Sequence, residues 1–133
     1  MRLRLAREER GAAAIEFGII APVLLLMLLG LLQLGVMFNA QAGLKNAVAE
    51  GARYATIYPN PSDTQIRDRI TDRRFGMDPT LIVGPTITRR TDGGPDGNVK
   101  YVDITMTYSV PMNFVFFQLP AVQLTETRRA YIL

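Results

Sequence analysis

Glu16 is the one ionisable side chain between Ala12 and Phe38, and its apolar setting makes it the most pointed chemical feature of the chain. A lone carboxylate in a membrane segment costs roughly 2.5–3.5 kcal/mol on insertion scales, so a partner is expected for it. Cleavage after Gly11 would supply one, a free α-amine on Ala12 four residues before Glu16. A cation and an anion at that depth would neutralise each other, within one chain or between neighbouring chains. The competing reading places Glu16 near the headgroups, with its side chain reaching for water. On the residues alone both stay open.

Other chemistry is sparse. The chain has no cysteine, which excludes disulfides and thiolate metal sites, and no histidine, the usual general base and commonest metal ligand. Asp63, Asp68, Asp72 and Asp78 do not follow the spacing of a calcium loop, and the glycines around Gly93–Gly97 do not follow a phosphate-loop pattern. No catalytic, cofactor or metal site is expected, and an enzyme is not. Formal net charge is +3, of which residues 1–10 supply +2 through Arg2, Arg4, Arg7 and Arg10 against Glu8 and Glu9. A nearly neutral remainder, with no basic cluster interleaved with aromatics, argues against a nucleic-acid partner.

The element that positions Glu16 runs from Gly11 to Phe38, GAAAIEFGIIAPVLLLMLLGLLQLGVMF, with Gln33 as its other strongly polar residue. At ~1.5 Å per residue, about 20 apolar residues cross a bilayer core of about 30 Å. Backbone groups in lipid must be satisfied internally, so the segment is expected to be helical despite Gly18, Pro22, Gly30 and Gly35. Three regions follow: an arginine-rich leader (1–11), a transmembrane helix (12–38) and an extracytoplasmic domain (39–133). The arginines favour a cytoplasmic N-terminus. Ala40-Gln41-Ala42 has the small-x-small form of a signal peptidase site, but the apolar run from Ile19 to Phe38 exceeds the ~7–15 residues of a signal peptide.

These residues resemble the N-terminal region of the TadE family, pseudopilins of the tight-adherence (Tad) pilus system. The resemblance is carried by Arg10-Gly11-Ala12-Ala13, Glu16-Phe17, Pro22 with its leucine run, Gly35, Asn46-Ala47 and Glu50-Gly51-Ala52-Arg53-Tyr54. It covers residues 10 to about 55, roughly the first 40 % of the chain. It implies cleavage after Gly11 by a prepilin peptidase, and pairing of Glu16 with the new amine of a neighbouring subunit. The implied partners are that peptidase, other Tad pilins and pseudopilins, an inner-membrane assembly platform and membrane lipid. The chain exceeds the very short major pilin of such systems, which favours a tip, priming or accessory role as a minor pseudopilin. Gln33 stands where many relatives carry a second acidic residue, and no function is carried onto it. The alternative is an uncleaved bitopic anchor or scaffold of a periplasmic complex.

Residues 39–58 continue the helix, with Leu44, Val48, Ala52 and Ala55 on one face. Gly43, Ala47, Gly51 and Ala55 recur every four residues, a row that lets backbones approach closely. Packing of this row within its own domain is preferred over packing on another subunit. Pro59-Asn60-Pro61 ends the helix, and Ser62–Gln65 reads as a capping box opening a short helix that Gly76 stops. Its Ile66 and Ile70 form an apolar side, while arginines 67, 69, 73 and 74, interleaved with aspartates, read as a solvated face.

Strands are expected at Leu81–Thr91, where Gly84-Pro85 points to an edge or bulge, at 101–110 and at Val122–Ile132. The turn-rich residues 93–98 make the first two a hairpin. Val102, Ile104, Met106, Tyr108 and Val110 form the inner face of the second strand, and Tyr101, Asp103, Thr105, Thr107 and Ser109 the outer. Phe114, Phe116 and Phe117 are assigned to the core, with membrane or partner contact as alternatives. The whole reads as α+β and pilin-like: a single-pass helix extended onto a small antiparallel sheet, with one short additional helix.

Overall fold

The computed structural model describes residues 2–57, 59–93, 97, 99–114 and 117–132, with backbone alone for 2–10, 92 and 93. Helix α1 runs unbroken from Arg2 to Ala55, 54 residues. At ~1.5 Å per residue that is about 80 Å, far longer than a bilayer core. Pro22 lies inside it. Proline has no N–H to give the carbonyl of Gly18, four residues back.

The helix ends at Ala55, three residues before the expected limit. Thr56 and Ile57 turn their N–H groups back to the carbonyls of Arg53 and Tyr54 (3.3 and 3.1 Å), a tightened last turn that satisfies part of the helix end. Helix α2 (Asp63–Asp72) opens on the expected capping box: Gln65 N–H donates to Ser62 Oγ (3.3 Å) and Ser62 N–H to Gln65 Oε1 (2.8 Å). It closes at Arg73, before Gly76. Gly76, at φ +66°, instead turns the chain against α1, where a Cβ would crowd the Asn39 amide. A single 3-10 turn, Pro79–Leu81, leads into the sheet and is capped by Asp78, whose Oδ1 accepts from Thr80 N–H at 2.9 Å.

Strands β1 (Ile82–Gly93), β2 (Val99–Asn113) and β3 (Gln118–Ile132) form an antiparallel sheet in the order β1-β2-β3. The fold is α+β, a long apolar helix and one short helix with a three-stranded sheet. β1 is an edge strand, and its register shifts between Val83 and Thr86. Gly84 there has φ +102°, and a Cβ would press on the Thr105 carbonyl oxygen, so glycine is required. Of the expected β1–β2 turn, residues 94–96 and 98 lie outside the described residues, although the strands flanking it pair.

Val102, Ile104, Met106, Tyr108 and Val110 are all buried, joined in one core with Leu44, Val48, Ile66 and Ile70. On the outer face Thr105 and Thr127, then Thr107 and Thr125, pair by their hydroxyls at 2.9 Å, a cross-strand ladder of the kind that stabilises sheets. Tyr101, assigned to that face, is nevertheless buried, because the Arg129 guanidinium lies 4.0 Å over its ring and Tyr131 packs edge-on. The phenylalanines correct the sequence reading further. Phe114 and Phe117 stack on each other at 4.9 Å outside the core, and Phe117 is exposed, since they lie just past the end of β2 at Asn113 and just before the start of β3 at Gln118. Phe116 lies outside the described residues.

Candidate membrane and assembly site

Gly11, Ala12 and Glu16 lie on the part of α1 that no other element covers, and all three are exposed. Ala12 and Glu16 are one helical turn apart, so they share a face. Among the described residues Glu16 makes no hydrogen bond or ion pair within the chain. Around and beyond it, fifteen large apolar side chains from Ile15 to Phe38 are exposed, Phe17 by 70 %. Burying one such side chain is worth roughly 1.5–3 kcal/mol, so leaving them all in water would cost tens of kcal/mol. The segment requires a non-aqueous surrounding, and α1 is long and apolar enough to cross a membrane.

The small-residue row leads into the domain instead. Ala47 and Ala55 are buried, and Gly43 and Gly51 lie against neighbouring chain. A Cβ on Gly43 would overlap the Phe75 carbonyl, and one on Gly51 would overlap the Ile70 side chain of α2. Glycine at these two points sets how closely α2 and the segment after it approach α1.

Arginines expected on a solvated face include one with a specific task. Arg69 on α2 reaches Glu50 on α1 at 2.6 Å and stands 5.8 Å from the Tyr54 ring centre. Arg53 binds the same carboxylate at 3.0 Å. Hydrogen bonds from these two guanidinium groups, Arg53 first, pull the Glu50 carboxyl from 4.5 down to about 2. Arg89 likewise ties β1 to α2 through Asp63 (2.7 Å) and the Pro61 carbonyl (2.6 Å). On the outer sheet face the Arg129 hydrogen bonds hold Asp103 below the usual carboxylate range. These pairs fasten the elements to each other and contain no nucleophile with a base.

One contact escaped the sequence reading. Gln33, to which no role was given, donates from Nε2 to the Asn113 carbonyl at 2.7 Å. The signal for Gln33 was its polarity within an apolar span. Its acceptor could not be found that way, being a backbone group eighty residues along.

A family model described as TadE-like protein matches residues 11–53. No curated protein and no solved structure matches the chain. The matched segment begins at the glycine before Ala12 and ends within the last turn of α1, so it coincides with the apolar span and the packed outer half of one helix. Over that helix, and over no more of it, the chain is similar to the TadE-like family.

Proposed function

We propose that the protein is a minor pseudopilin of a Tad-type pilus, held in the inner membrane by residues 12–38 with its domain outside, and cut after Gly11 by a prepilin peptidase. Its work is structural: the released α-amine of Ala12 and the carboxylate of Glu16 join it to other pilins on the assembly platform. The carrying observation is the uncovered stretch of α1 in which Glu16 has no partner among the described residues of its own chain. Such a helix suits both places a pseudopilin occupies, the bilayer before assembly and a bundle of like helices after it. Cleavage after Ala42 would discard Ala40 from the core and Gln33 from its contact with β2, which counts against a spent signal peptide.

Intact-mass measurement on membrane-extracted protein tests this reading. Protein beginning at Ala12 is the expected result. A start at Met1 would leave an uncleaved anchor, and a start at Gly43 a secreted domain.

A further inference from the structure

The β2–β3 hairpin end reaches back along α1 into the level of its apolar span. Gly51 lies beside Ile104, and Gln33 is bonded to Asn113. Between those contacts lie eighteen residues of helix, about 27 Å at ~1.5 Å each, and nine of strand, about 31 Å at ~3.4 Å each. The near match means that β2 runs almost along the helix axis, in the opposite direction. Gln33 is five residues before Phe38, so the Asn113 end of the hairpin sits roughly 7–8 Å below the end of the apolar run.

Charge follows the same geometry. On α1 no aspartate, glutamate, lysine or arginine occurs between Glu16 and Lys45, and on the hairpin none occurs from Ile104 to Thr125. Lys45 stands roughly 18 Å above Gln33, and the Thr107–Thr125 rung roughly 20 Å above the Asn113–Gln118 rung. Helix and hairpin therefore lose charge at about the same height. Below it, Phe117, Leu119 and Val122 are exposed by 46, 48 and 36 %, and Phe114 stacks on Phe117.

We propose that this hairpin end is a lipid-contacting foot, seated in the outer interface of the bilayer that α1 crosses, with Phe117 and Leu119 against the upper acyl chains. The proposal rests on the reading of residues 12–38 as a membrane span. Continuity with that span and the absence of charge on the hairpin end select lipid as the occupant. Amphipathic elements at this boundary bury their apolar side roughly 5–10 Å deep, the depth that the Gln33–Asn113 bond sets here. The foot gives the domain a second attachment and so a fixed tilt on the membrane.

The chain contains no tryptophan, so single-tryptophan variants report without background. Full-length Phe117→Trp, Tyr131→Trp and Leu26→Trp are placed in phosphatidylcholine–phosphatidylglycerol vesicles whose acyl chains carry bromine either near the headgroup or near the methyl end. Phe117→Trp is expected to lose at least half of its emission to headgroup-proximal bromine. Tyr131→Trp, at the far end of the sheet, is expected to lose none, and Leu26→Trp to respond most to deep bromine. Leu119→Trp gives the same readout should Phe117→Trp not fold. Quenching of Leu26→Trp without any at position 117 or 119 overturns the foot and leaves the span intact. An unquenched Leu26→Trp removes the span and the foot with it. A blue-shifted, bromine-insensitive signal at 117 that is lost on diluting the protein in lipid assigns the surface to a second copy of the chain, which also overturns the proposal.

Discussion

Gln33 and Asn113, eighty residues apart, are joined by a hydrogen bond of 2.7 Å from the side-chain amide of one to the backbone carbonyl of the other. It fixes where the far end of the sheet lies along the helix. A net hydrogen bond is worth about 0.5–1.5 kcal/mol. Gln33→Leu, which keeps bulk and helix propensity, is therefore expected to raise amide exchange in the hairpin end by several-fold, while exchange at Ile104 stays unchanged. Equal protection at Phe114, whose N–H donates to the Phe117 carbonyl, would show that the bond does not hold the hairpin.

Gly51 sits where a side chain would meet Ile70. Leucine is the better helix former, yet Gly51→Leu is expected to destabilise the domain by about 1–3 kcal/mol or more through overpacking. Gly30→Leu, where a Cβ meets nothing within 4 Å, is the matched control and should leave thermal unfolding of the domain unchanged. Unfolding of the two variants in the same detergent decides it, and equal midpoints would refute the packing argument.

The Glu50 clamp makes stability depend on pH. Its carboxyl is lowered from 4.5 to about 2 in the folded chain, so the unfolded chain takes up a proton first as pH falls. The stabilising contribution is whole above about pH 4.5 and fades as pH drops towards 2. Asp103 and Asp78, also lowered, add loss in the same direction. Glu50→Gln is expected to lower the unfolding midpoint at pH 7 and to flatten its fall below pH 4.5. A parallel curve for wild type and variant would show that Arg53 and Arg69 do not act through the charge.

Glu16→Ala separates insertion from assembly. Losing one member of a buried ion pair costs roughly 3–5 kcal/mol, against about 0–1 for an exposed pair. The variant is expected to insert and to be cut after Gly11, yet to crosslink poorly to partner pilins. Crosslinking at the wild-type level would exclude the pairing while leaving processing untouched, and failure of cleavage would move Glu16 into recognition by the peptidase.

Orientation is open to a direct check. Single cysteines at Arg4 and Thr91, in unprocessed protein, are expected to differ in access to a membrane-impermeant thiol reagent added outside the inner membrane. Reaction at position 91 alone fits the proposed topology, and reaction at position 4 alone inverts it.

The helix, the capping box at Ser62 and the inner face of β2 were legible from residue order, because each is a local pattern: an unbroken apolar run, a side chain three residues from its backbone partner, a period of two. The TadE-like match at 11–53 lies in that same locally patterned segment. Glu16 belongs here too, conspicuous by charge alone. What sequence misplaced depended on contacts between distant residues. Tyr101 is buried on the outer face because Arg129, from another strand, covers it. Phe117 reads as core by hydrophobicity, but the hairpin carries it past the end of the core and down the flank of α1. Gly76 reads as a helix stop, although α2 has already closed at Arg73 and the glycine turns the chain where a side chain would meet Asn39 of α1. Hydrophobicity states that a side chain must leave water. Only the packed fold decides whether it goes to the protein interior or to another surface, and here the Gln33–Asn113 bond places that surface beside the apolar span.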